Sequence, residues 1–228
     1  HARSYDQQRF EGKDKAYLEA VRTDAFLALL PSRPPLRVLD VGCGTGRGAL
    51  LLAKMGHTVT GVDLTREMLD QAIRKAKSLK LNTAAFHKAG AERLPFKAHA
   101  FDCVITLNFL HMFGLEPQRA MIAEMARVLT PQGILIAEFD SYYKAGFMGA
   151  RVQKQKPRTH FNKPRDLPYL FAENGLYIQK IHGAVIPVLW RLFMHAPRIA
   201  MYIERCTRYT RFKFLAERFY VKAGRAVS

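Results

Sequence analysis

Three glycines and two carboxylates carry the chemistry that can be read in this chain. Leu36 to Val41 is an apolar run rich in branched residues and reads as a buried strand. Gly42, Gly44 and Gly46 follow, and Ala49 to Ala53 is helix material ended by Gly56. A strand, a glycine turn and a helix make half of a nucleotide-type site, where bare main chain lets a ligand lie close. Gly44-Thr-Gly46-Arg-Gly48-Ala49 also satisfies a dinucleotide pattern with alanine in the third place. Asp40, at the end of the strand, speaks against a pyrophosphate there, because a carboxylate beside a helix N-terminus competes with any other anion. It suits a ligand that has no phosphate and carries positive charge. The next strand candidate, His57 to Val62, ends at Asp63, an acid able to take both hydroxyls of a ribose.

S-adenosylmethionine, with an ammonium and a sulfonium, is such a ligand. The chain also resembles the class I S-adenosylmethionine-dependent methyltransferases, and is similar to the branch that includes the quinone-biosynthesis and small-molecule enzymes. The matching residues are Val38-Leu-Asp-Val-Gly-Cys-Gly-Thr-Gly46 and Gly61-Val-Asp-Leu64, with Met68-Leu69 and Ala72. Two later stretches agree, Ala91-Glu-Arg-Leu-Pro-Phe96 before Phe101-Asp-Cys-Val-Ile-Thr106, and Arg127-Val-Leu-Thr-Pro-Gln-Gly-Ile-Leu135. The resemblance covers roughly residues 36 to 140. It implies that Asp40, Gly42, Cys43, Gly44, Gly46, Asp63, Leu64, Met68, Ala91, Glu92 and Asn108 surround the cofactor, and that Tyr5 closes over its methionine end. The family usually holds the adenine amino group with an Asp where this chain has Gly90. Adenine is therefore expected to rely on main chain near Ala91 and on Glu92. One lost hydrogen bond costs roughly a kcal/mol, which cofactor binding survives.

The elements that must position these residues can be placed from the pattern. Lys13 to Leu30 reads as an amphipathic helix stopped by Pro31. Thr65 is an N-cap candidate for a helix from Arg66 to Leu79, and Thr83 to Lys88 reads as a third strand. Phe101 to Leu107 is the fourth strand, Pro117 to Leu129 a helix, and Ile134 to Phe139 the fifth strand. Pro164 to Asn174 reads as a helix closed by Asn174-Gly175, and Leu176 to His182 as the sixth strand. Phe219 to Arg225 is the last strand, which the family inserts antiparallel. The expected fold is α/β, a Rossmann-like, seven-stranded, mostly parallel sheet with helices on both faces and a basic helical insertion before the last strand. The expected division is a helical cap over 1–35, a cofactor-binding core over 36–186 and 219–228, and the insertion over 187–218.

Charge is uneven along the 228 residues. Residues 1–140 hold 19 Lys and Arg against 15 Asp and Glu, and residues 141–228 hold 17 against 4, so +13 of the net +17 lies in the last 88. Tyr142 to Asn162 shows no clear period and reads as loop and broken helix over the acceptor side. In 187–218 apolar and aromatic residues alternate with Arg191, Arg198, Arg205, Arg208, Arg211, Lys213 and Arg218, with Pro197 dividing the segment. A basic amphipathic segment of this kind suits an anionic membrane surface or a lid over a greasy acceptor, less often RNA, or simple packing. Three cysteines at wide spacing give neither a metal site nor a disulfide framework and fit a reducing cytoplasm, with peripheral membrane contact as an option. No secretory signal or bilayer-spanning run is read, and the oligomeric state is left open.

The expected reaction is methyl transfer from S-adenosylmethionine to a hydrophobic small molecule, aromatic, prenylated or lipid-like. An RNA methyltransferase and a non-catalytic cofactor-binding regulator are the alternatives. If the acceptor needs a base, His111 and His160 are the candidates, while Glu138 and Asp140 are expected to shape the pocket.

Overall fold

The computed structural model describes residues 13–32, 35–141, 160, 162–185, 196–207 and 216–225. The described elements run α1 (Lys13–Leu27), β1 (Arg37–Val41), α2 (Arg47–Lys54), β2 (Thr58–Asp63), α3 (Arg66–Ser78), β3 (Ala84–Lys88), β4 (Phe101–Thr106), a 3₁₀ turn (Leu110–Met112), α4 (Leu115–Val128), β5 (Leu129–Asp140), α5 (Leu167–Ala172), β6 (Leu176–Ala184), α6 (Pro197–Thr207) and β7 (Arg218–Arg225). The strands form one seven-stranded sheet in the order β3-β2-β1-β4-β5-β7-β6. Pairing is parallel from β3 through β5, and β7 is antiparallel to both β5 and β6. The order reverses at β1, so a crevice opens there at the carboxyl ends of β1 and β4.

Successive strand residues face opposite sides, and both faces are apolar because both are covered. Leu39, Val104, Leu135, Ala137 and Phe139 pack with Met121, Ile122 and Met125 of α4 and Leu170 and Phe171 of α5. Val38, Cys103, Ile105, Ile136 and Tyr220 face the other way, toward Val21, Ala25 and Phe26 of α1, Leu52 of α2 and Ala200 of α6. This alternation explains why β1, β4 and β5 read as continuous apolar runs.

Several boundaries differ from the sequence reading. β5 begins at Leu129, because Phe101 pairs with Leu129 before a register shift leads to Cys103 opposite Ile134. α5 is only six residues long, starting at Leu167. Asn174 donates its side-chain amide to the Leu170 carbonyl, and Gly175 takes a left-handed φ of 67°, so the expected stop signal closes it. Thr65 stands at the N-cap of α3 without capping it; its amide instead donates to Asp63 Oδ1 at 2.8 Å.

Arg218 is the main correction. The sequence reading grouped it with the surface cations of the insertion, yet it is the first residue of β7, 4% exposed and paired with two acids. Pro197 opens α6 rather than kinking a longer described helix. Of the insertion, α6 lies within the described residues and the stretches 187–195 and 208–215 lie outside them; so do 142–159 and 161 of the variable segment after β5. α6 turns Ala200 into the core and leaves Ile199 and Tyr202 exposed. It is tied to α1 by Arg205, whose guanidinium donates to Asp24 at 3.0 and 3.1 Å. Among the described residues no helix is long and apolar enough to cross a membrane, and no three His, Cys, Asp or Glu side chains gather as a metal site.

Candidate active site

Local geometry at the end of β1 follows from the glycines. Gly42, Gly44 and Gly46 all have positive φ, of 71°, 52° and 81°. The amides of Gly42 and Cys43 both donate to the Val62 carbonyl, at 2.9 and 3.0 Å, which folds the turn back over β2. Gly46 is needed for close packing as well, since a Cβ there would lie 2.8 Å from the Ala72 Cβ on α3. Gly44 is different, because a Cβ there meets nothing within 4 Å. It faces open space, as a glycine does where a ligand rests on bare main chain.

Asp40 completes the turn. Its Oδ2 accepts the amide of Ala49 at 2.9 Å, and a Cβ on Gly48 would sit 3.0 Å from the same oxygen. Gly46, the N-cap of α2, has no side chain to cap the helix, so a carboxylate from the strand does it. An acid thus fills the place where a pyrophosphate would take the helix amides. Asp40 is 3% exposed. Burial pushes its pKa up to about 7, the Ala49 amide opposes that rise, and the charge of Asp63 adds to it.

Asp63, at the end of β2, accepts the Gly44 amide through Oδ2 at 2.9 Å and the Thr65 amide through Oδ1 at 2.8 Å. Each oxygen keeps a lone pair for another donor. Lys75 of α3 donates to the Thr45 carbonyl at 3.1 Å and steadies the far side of the turn.

Asp40, Asp63 and the turn from Gly42 to Thr45 line a cavity of about 710 Å³. Of the residues singled out in the sequence, the cavity brings together Asp40, Gly42, Cys43, Gly44, Asp63, Leu64, Met68, Ala91, Glu92, Asn108 and His111. Gly46 lies behind the lining, against Ala72 and Phe86. Tyr5 falls outside the described residues. His160 is placed by its amide, which donates to the His111 carbonyl at 2.7 Å. Glu92 folds back beside Gly90, since a Cβ on Gly90 would meet Glu92 Oε2 at 3.3 Å. The carboxylate of Glu92 therefore sits next to the position whose side chain is missing.

Five carboxylates line the cavity, Glu19, Asp40, Asp63, Glu92 and Glu138, against two guanidiniums, Arg22 and Arg47. An acidic cavity in a chain of net charge +17 is a local choice of charge and favours a cationic ligand. Glu19 forms an ion pair with Arg47 and lies 3.7 Å from Arg22. Glu19, Arg22, Thr23 and Phe26 come from α1, so the helix ahead of the core is a wall of the cavity. Sequence reasoning treated it only as a cap, because its acidic and basic residues look like any solvated helix face.

The second half of the site is a buried network at the ends of β4, β5 and β7. Asn108 has a left-handed φ of 54°, a conformation asparagine tolerates. Its amide donates to Glu138 Oε2 at 2.8 Å, and its Oδ1 accepts from Arg218 at 3.1 Å. Arg218 also bonds Glu138 Oε1 and lies 3.3 Å from Asp140 Oδ1. Burial alone would raise the pKa of Glu138, but the charges of Arg218 and Arg22 outweigh it and hold the group below the ordinary range. The network was missed because its cation stands 80 residues from Glu138. The signal available was two acids, Glu138 and Asp140, on one buried strand, which demand a cation somewhere.

Residues 38–133 match the methyltransferase domain family. Residues 38–133 are a class I S-adenosylmethionine-dependent methyltransferase domain. This methyltransferase domain is similar to an uncharacterized methyltransferase, YodH, of Bacillus subtilis, 36% identical over 112 residues, which cover 49% of this chain and 46% of that protein. It is similar also to the 27-O-demethylrifamycin SV methyltransferase of Amycolatopsis mediterranei, 34% identical over 115 residues, which cover 50% and 42%. The chain thus spans less than half the length of these curated relatives. The fold of the chain matches that of magnesium protoporphyrin IX methyltransferase from Synechocystis PCC 6803, with a TM-score of 0.68 at 22% identity, covering 94% of this chain and 86% of that one.

The residues present fit S-adenosylmethionine. The open space over Gly44 admits a ligand against main chain, Asp63 retains acceptors for a diol, and the surplus of carboxylates suits a sulfonium.

Proposed function

We propose that the chain transfers a methyl group from S-adenosylmethionine to a hydrophobic small molecule. The observation that carries this reading is the continuity of the cavity, from the acid-lined glycine turn to an apolar lip of Leu64, Met68, Phe109, Met112 and Phe113. Leu64 and Met112 are exposed at 63% and 50% and give the mouth of the cavity an apolar rim. Two relatives with small-molecule names, a rifamycin-type and a porphyrin methyltransferase, support the same acceptor class.

Bound S-adenosylmethionine supplies an electrophilic methyl group, whose bond to sulfur breaks with the electron pair left on sulfur as the acceptor forms its new bond. The chain contributes position and desolvation. Asp63 would hold the ribose hydroxyls and Glu92, beside Gly90, the adenine amine. Asp40 would supply negative charge toward the sulfonium. Phe109, which packs on Phe113 with ring centroids 5.0 Å apart, walls the acceptor side from water. A hydroxyl or amine acceptor gives up one proton, and His111, in the cavity lining, takes it.

The test is transfer of labelled methyl from S-adenosylmethionine into fractions of a cell extract. Label in the organic-solvent-soluble fraction supports the reading. Label in RNA supports the nucleic-acid alternative, and no label in any fraction supports a cofactor-binding regulator. Either of the last two results defeats the proposal.

A further inference from the structure

The cavity has two halves. The ends of β1 and β2 hold Asp40 and Asp63 with the glycine turn. The ends of β4, β5 and β7 hold Asn108, Glu138 and Tyr220 beside His111. If the first half takes the donor, as proposed above, the second half faces the acceptor and the group being moved. Its chemistry is set by one buried cation.

We propose that Arg218 is a positioning residue that fixes the Glu138 carboxylate on the acceptor half of the cavity, and that this carboxylate selects an acceptor presenting to it a hydroxyl or amine hydrogen other than the one His111 takes. The inference rests on the donor-site reading and adds the acceptor's chemistry to it.

Three observations converge. First, Arg218 serves three partners at once, Glu138, Asp140 at 3.3 Å and Asn108 Oδ1 at 3.1 Å, while 4% exposed. A buried guanidinium so engaged has almost no freedom to move. Second, Glu138 spends one oxygen on Arg218 and the other on the Asn108 amide, at 2.8 Å. A carboxylate offers about four lone pairs, so two remain for the cavity it lines. Third, the backbone around Arg218 is locked. Glu217 donates to the Val185 carbonyl at 2.9 Å, Ser141 donates to the Glu217 carbonyl at 2.9 Å, and Asn162 donates to the Asp140 carbonyl at 3.0 Å.

The charges around Glu138 favour this role. Arg218 and Arg22 attract it, and Asp140 repels it. With Glu138 and Asp140 ionised, one guanidinium is shared between two carboxylates and the trio carries one net negative charge. A hydroxyl or amine N–H gains a charge-assisted hydrogen bond there, whereas a carboxylate acceptor meets repulsion.

The test uses two ligands that differ at the position of the transferable methyl. Sinefungin carries an amine there, and S-adenosylhomocysteine is neutral there. Binding of each to the full chain is measured by calorimetry at pH 8. The wild type is expected to prefer sinefungin by about tenfold or more, the size of one charge-assisted hydrogen bond. Glu138→Gln, which keeps the shape of the side chain, lowers the preference about fivefold or more and leaves only the part that Asp40 supplies. Arg218→Met does the same, and Arg218→Lys, which restores a cation, recovers most of it. S-adenosylhomocysteine affinity reports the donor half separately. If the wild type binds neither ligand, the donor-site reading fails and takes this inference with it. If it binds both without preference, or if Glu138→Gln leaves the preference undiminished, this inference alone is overturned. Should Arg218→Met fail to fold, Glu138→Gln decides.

Discussion

Asp40 on β1 and Ala49 on α2 are joined by one hydrogen bond of 2.9 Å, from the Ala49 amide to Asp40 Oδ2. That bond closes the strand–turn–helix unit and sets which ligand the unit accepts. The helix end that would cradle a phosphate is already capped by an acid. The same acid, buried and near neutral charge balance at physiological pH, is ready to answer a positive ligand.

Asp40→Asn separates these two roles. The Asn carbonyl keeps the Ala49 bond, so the fold survives. The pKa of Asp40 is raised, from 3.8 unfolded to about 7 folded, so its protonated form stabilises the native state at low pH and that contribution is lost as pH rises through 7. Free of ligand, the wild type should lose more stability between pH 5 and pH 8 than the variant, by on the order of 2–4 kcal/mol. Denaturant midpoints at the two pH values check it. Parallel curves would show that Asp40 does not titrate in this range.

Gly44 and Gly46 make a paired prediction. Gly46→Ala drives a Cβ to 2.8 Å from Ala72 in a left-handed position, and should cost about 2 kcal/mol or more of stability. Gly44→Ala meets no atom and should cost about 1 kcal/mol, yet its methyl enters the space reserved for the ligand and should lower S-adenosylmethionine affinity at least about tenfold. Thermal melts and calorimetry separate the two effects. Equal stability losses, with no difference in binding, would contradict the assignment.

Much of this was legible in the chain. The turn from Asp40 to Gly46 and the acid at Asp63 were readable because tight turns and charged strand ends leave few alternatives. Strands β1, β4 and β5 were readable because both their faces are apolar. Arg218 was not, since an arginine in a basic, aromatic stretch looks like a surface residue until β5 and β7 are put in register. Glu19 and Arg22 were hidden for a related reason. Only the packing of α1 on the sheet turns them into cavity lining. Thr65 misled because its type suits a cap, while Asp63, two residues away, claims its amide instead.

Gly90 and Glu92 give a third test. Glu92 lies where the side chain absent from Gly90 would reach, so Glu92→Ala should weaken S-adenosylmethionine binding about five- to tenfold, the loss of one hydrogen bond. Gly90→Asp alone sets two carboxylates together and should weaken binding as well. The double variant Gly90→Asp, Glu92→Ala should recover most of the affinity. Additive losses in the double variant would show that the two positions do not share a function.

The most direct measurement is calorimetric titration of the full chain with S-adenosylmethionine and with NAD at pH 6 and pH 8. The cation should bind about tenfold more tightly at pH 8, because Asp40 loses its proton near pH 7 and the ionised form attracts a sulfonium, while NAD gives no heat at either pH. Heat from NAD, or S-adenosylmethionine affinity that is unchanged across this range in the wild type, would contradict the claim that Asp40 chooses the ligand.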